Sequence, residues 1–74
     1  MRCDLAAAAR ADLDILDVRG RSVRRAFSGM LAAGATVITW DGRAESGLEA
    51  AAGIYFARLT TAQGSATQVV VRLR

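Results

Sequence analysis

A chain of 74 residues and 7.8 kDa holds one small domain, expected to span residues 1–74, and excludes a multidomain enzyme. It has no His, no Lys, no Pro and one Cys, which removes imidazole acid–base chemistry, His/Cys zinc sites, Schiff-base lysines and an internal disulfide, and so points to a non-catalytic module with no cofactor. The net charge of +3 comes from ten Arg against seven acids, and arginine used without lysine reads as codon composition rather than as a nucleic-acid surface.

Ala supplies sixteen of the thirty-nine hydrophobic residues, while Leu, Ile, Val and Phe together number eighteen, so the chain can fold but its core is thin. Such a core supplies no more than about 3–5 kcal/mol of net stability. No apolar run approaches the ~20 residues of a membrane span. Asp4 and Arg10 bracket only five residues near the start, which is not the layout of a signal peptide.

In chain order, residues 5–16 pose the first choice. Leu5, Ala9, Leu13 and Leu16 have helical spacing, but Asp12 and Asp14 alternate strictly with Ala11, Leu13 and Ile15, and that period of two favours strand–turn–strand. Asp17 and Gly20 follow as a hairpin turn, the carboxylate accepting backbone amides and the glycine supplying positive φ. Residues 22–27 read as the return strand, with Val23 inward and Arg24 or Arg25 outward. Residues 28–34 (SGMLAAG) read as a loop, and residues 35–40 (ATVITW) as a strand with Thr36, Ile38 and Trp40 on one face. Residues 41–47 (DGRAESG) give the strongest loop signal, and residues 45–52 an irregular turn rather than a helix, since Gly47 interrupts the capping pattern of Ser46 and Glu49. Residues 53–61 (GIYFARLTT) read as a central strand, and a turn through Gly64 leads to a last strand over residues 66–74. Its alternation places Val69, Val71 and Leu73 inward and Gln68, Val70 and Arg72 outward. Short strands at this spacing, with glycine turns between them, predict an all-β antiparallel β-sandwich.

Ile15-Leu16-Asp17, Gly20-Arg21-Ser22-Val23-Arg24, Trp40-Asp41-Gly42-Arg43, Ser46-Gly47 and Gly53-Ile54-Tyr55-Phe56 occur in an order that resembles one family. It is the Ig-like C-terminal domain shared by FlgD-type flagellar hook-assembly proteins and type A sorting domains of type IX secretion cargo. The resemblance runs from about Cys3 to Arg74. It implies an Ig-like sandwich of about six to seven strands with an abbreviated first strand, in a secreted or cell-surface bacterial protein, with an outer-membrane secretion apparatus or an upstream domain as partner. Family members enter through an Asn-Pro-rich linker and a first strand ending in Leu-Pro; here there is no proline, and residues 1–6 stand as the remnant of that strand. The chain thus reads as the C-terminal part of a larger protein, or as a gene with a late start. The family's basic residue in the last strand is matched loosely, by Arg72 or Arg74. A hook-assembly scaffold and an adhesive or carbohydrate-binding accessory module are the alternative functions.

The motif residues have structural readings. Trp40 is expected to anchor the core, its burial contributing on the order of 3 kcal/mol. Asp41 holds the loop that follows, and Gly42 and Gly47 take conformations closed to other residues. Gly53 is expected to let the backbone pass close to a neighbour. Tyr55 buries its ring and seeks a partner for its hydroxyl. A calcium site from Asp17, Asp41, Glu45 and Glu49 lacks the required oxygen density. Asp12 and Asp14 read as strand charges that discourage edge pairing. Ser28, Ser46 and Ser65 have no His to activate them. Cys3 reads as a buried or incidental thiol. The Arg19, Arg21, Arg24 and Arg25 cluster lacks a stacking surface, because Trp40, Tyr55, Phe27 and Phe56 are the only aromatics and the core needs at least two.

Overall fold

A computed structural model of the chain describes residues 1–73. Six strands and no helix occur among them: β1 (Arg2–Leu5), β2 (Ala9–Leu16), β3 (Ser22–Leu31), β4 (Gly34–Val37), β5 (Gly53–Thr61) and β6 (Gly64–Arg72). Every pairing is antiparallel. One sheet has the order β3-β2-β5-β6, and β1 pairs with β4 in a second. The chain passes between the sheets at residues 6–8, 32–33 and 38–52. This is the all-β sandwich that the strand spacing predicts and is consistent with the Ig-like fold that the resemblance implies, and the alanine-rich opening is strand–bend–strand.

The core lies between β1–β4 and the inner face of the larger sheet. Cys3, Leu31 and Ile38 meet Ala11, Leu13 and Ile15 from β2 and Tyr55, Ala57 and Leu59 from β5. Leu13 and Ile15 are the largest side chains buried completely, each contributing about 1.5–3 kcal/mol. Ala11 and Ala57 are also buried, and their small side chains let the facing sheet approach. Trp40 is therefore a rim residue rather than the central anchor: β4 ends at Val37, and the indole is half-buried where the chain leaves the sheet.

Two loop expectations shift. Residues 28–31 belong to β3, which runs to Leu31 and carries unpaired residues at Val23 and Ala26 where the register steps against β2. The strand predicted over residues 35–40 is regular only to Val37. Asp12 and Asp14 do not guard an edge, because β2 lies inside the sheet. Instead they form cross-strand pairs: Asp12 accepts from Ser28 Oγ at 2.7 Å, and Asp14 from Arg25 Nε at 3.0 Å.

The last strand faces the opposite way from the prediction. A two-residue turn at Ala62 and Gln63 pairs Thr61 with Gly64, and the ladder carries that register to Tyr55–Val70 and Gly53–Arg72. Val70 and Arg72 thus share the inner face with Tyr55, while Val69, Val71 and Leu73 are exposed. A one-residue change of register would invert both sets, and here the hairpin, not the valine alternation, decides.

Candidate functional site

The predicted motif residues fall in two places. Asp17 and Gly20 close the β2–β3 hairpin: Asp17 Oδ1 accepts the Arg19 and Arg21 amides at 2.9 and 3.0 Å, and Gly20 has φ +81°. The Arg21 amide is the main cause that holds the Asp17 carboxyl below its ordinary pKa. This turn is distinct from the second place, the loop over residues 38–52, where Trp40, Asp41, Gly42 and Gly47 lie beside Gly53 and Tyr55 of β5.

Within the loop, local bonds fix the backbone. Asp41 Oδ1 accepts the Arg43 amide at 3.0 Å, and Trp40 Nε1 donates to the Arg43 carbonyl at 2.9 Å. Ala44 and Leu48 are joined by a 2.9 Å backbone bond, and Arg43 Nη1 reaches the Gly47 carbonyl at 2.8 Å. The Ala50 amide donates to the Gly42 carbonyl at 2.8 Å, which brings the two ends of the loop together.

Three neighbours hold this unit against the sandwich. On β3, the Val23 carbonyl accepts the Glu45 amide at 3.1 Å, the Arg25 amide donates to Glu45 Oε1 at 3.2 Å, and Arg24 Nη1 donates to the Ala44 carbonyl at 3.3 Å. On β5, Tyr55 Oη donates to the Ala51 carbonyl at 2.6 Å, and its ring meets the Trp40 indole edge-to-face with centroids 5.2 Å apart. On β6, Arg72 Nε donates to the Ala50 carbonyl at 2.9 Å, and Arg72 Nη2 lies 3.7 Å from the Glu49 carboxylate.

Gly42 is called for by its backbone, and a side chain there would also displace the tip of Arg72. Its φ is +80°, and a methyl group on its Cα would overlap the Arg72 guanidinium. Gly47, at φ +87°, has open space around the equivalent position. Gly53 also has nothing within 4 Å, so the close approach expected there is absent and only its φ of +150° calls for glycine. Arg72 is the residue that the sequence reading turned outward. The structure turns it toward the loop; Arg74, the other residue that loosely matched the family's basic position, lies outside the described residues.

The polar side chains gathered here brace the loop. Asp17, Asp41, Glu45 and Glu49 are engaged separately with Arg21, Arg43, Arg25 and Arg72, and no three His, Cys, Asp or Glu side chains cluster among the described residues. A cleft of about 450 Å³ lies between the loop and β6, lined by Glu49, Ala50, Ala51, Ala52, Arg72 and Leu73. Its two charged groups face each other, and it contains no nucleophile–base pair. Cys3 is buried in the core, and burial pushes its thiol pKa up, which makes the thiolate scarce.

The model of the FlgD Ig-like domain family matches residues 2–65, which includes the whole loop and ends just inside β6. No curated protein and no solved structure matches the chain.

Proposed function

The chain belongs to the FlgD Ig-like domain family, and on that premise we propose that it serves as a non-catalytic C-terminal module by which a secreted bacterial protein is sorted to the cell surface through a type IX-like outer-membrane apparatus. The observation that supports this reading is the direction of the loop's hydrogen bonds. Asp41, Arg43, Glu45 and Arg72 all bond to backbone of the domain itself, so these polar residues build a rigid shape rather than a reaction centre. A module of this kind is recognised by its folded surface.

The test is to fuse residues 1–74 to a secreted reporter in a host carrying the type IX system. Surface delivery comparable to that given by an established sorting tail is the expected result. A reporter that stays in the periplasm while the established tail exports it overturns the reading.

A further inference from the structure

The two edges of the larger sheet are treated differently. Along β3, the Glu45 amide and the Glu45 carboxylate engage the Val23 carbonyl and the Arg25 amide, so the loop covers part of that edge. β6 is the other terminal strand, and it pairs only with β5 among the described residues. It is nine residues long, has no proline, and carries Arg72 as its one charge, which is turned toward the loop. Inward charges, bulges and covering loops are the usual guards of such an edge, and β6 shows none along residues 64–71.

The outer face beside this edge is apolar. Cross-strand ladders place Arg25, Asp14, Arg58 and Thr67 in one row, followed by Leu16, Phe56 and Val69 in the next and Ile54 with Val71 beyond it. Leu16 is buried beneath this cluster although it lies outside the main core, while Ile54, Val69, Val71 and Leu73 are 51–80% exposed. The charged row meets the free edge at Thr67, and the two apolar rows meet it further along β6, at Val69 and Val71.

We infer that a second copy of this chain pairs with that edge, β6 against β6 in antiparallel register centred on Val70, to give a continuous eight-stranded sheet. The strand is complementary to itself in this register. On the outer face, Val69 stands opposite Val71 of the second copy, twice over by symmetry, and Thr67 opposite Leu73. On the inner face, Val70 meets its own copy and Gln68 stands opposite Arg72. No like charges meet, and the apolar rows of the two copies become continuous across the junction. The valine alternation that the sandwich core leaves unused is accounted for by this pairing. The contact is smaller than a standard interface, so the dimer forms at the weak, concentration-dependent end of the scale.

The experiment measures mass by sedimentation or light scattering over a micromolar-to-millimolar concentration series. The expected result is a rise from 7.8 kDa toward twice that mass. Val69→Lys and Val71→Glu, each alone, should hold the chain at monomer mass, and an equimolar mixture of the two should restore the dimer, because the register sets Lys against Glu. Both positions are exposed, and a thermal melt of each variant verifies that it still folds. A wild-type chain that stays monomeric throughout, or a dimer indifferent to both variants, overturns the inference. So does a mixture that fails to recover the dimer.

Discussion

Replacing Gly42 by Ala tests the junction between the loop and the last strand, and two separate costs are expected. The first is the left-handed backbone: at φ +80° a Cβ costs about 1–2 kcal/mol. The second is displacement of Arg72, whose guanidinium occupies the space the methyl would take. Arg72 then loses its bond to the Ala50 carbonyl, and a hydrogen bond from a charged donor is worth about 1.5–3 kcal/mol. The Glu49 pair adds little, since that carboxylate is largely exposed. The sum of about 2.5–5 kcal/mol is comparable to the whole stability expected of so small a core. Gly47→Ala carries only the backbone cost, because nothing surrounds that position. Denaturant titrations followed by Trp40 fluorescence should therefore separate the two variants by about 1.5–3 kcal/mol. In an Arg72→Ala background, Gly42→Ala should cost only about 1–2 kcal/mol, so the double-mutant cycle yields a coupling of about 2 kcal/mol. Equal costs for Gly42→Ala and Gly47→Ala, or a coupling near zero, would refute the reasoning.

Other outcomes follow from the same geometry. Leu13→Ala should cost about 3–5 kcal/mol and abolish a cooperative melt, whereas Trp40→Ala, at the rim, should cost less and leave a measurable one. Tyr55→Phe removes the bond to Ala51 and should lower stability by about 1 kcal/mol, with the strand content seen by circular dichroism unchanged. The Asp17 carboxyl has a depressed pKa in the folded chain, so the stability it contributes is present above its unfolded value near pH 4 and is lost as pH falls through the lower folded value. Melting temperatures measured from about pH 5 downward should show a steeper acid decline for the wild type than for Asp17→Asn.

The parts legible in the sequence are those written in local chemistry. Alternation around Leu13 identifies β2 against the pull of four consecutive alanines, and Asp17 with Gly20 marks the hairpin because both its hydrogen bonds are made within four residues. The Tyr55 hydroxyl finds its partner at Ala51, also four residues away. What escaped the reading depends on register and distance. The facing of Val69, Val70 and Val71 is set by the turn at Ala62 and Gln63, and the apolar alternation on its own favours the opposite answer. Arg72 reaches across to Gly42 and Ala50, a contact that no spacing rule announces. Trp40 has the size of a core residue, but β4 stops three residues before it, and the indole comes to lie at the margin.

Amide hydrogen exchange across residues 41–52 addresses the central claim, that this segment is a fixed part of the sandwich locked by the last strand. The amides of Arg43, Ala44, Glu45, Gly47 and Ala50 are each bonded, so they should exchange slowly in the wild type. In Arg72→Ala, Ala50 and its neighbours should lose protection while Leu13, Ile15 and Ala57 in β2 and β5 keep theirs. Loop amides that exchange at unfolded-chain rates in the wild type, or that are unaffected by removal of Arg72, would contradict the account.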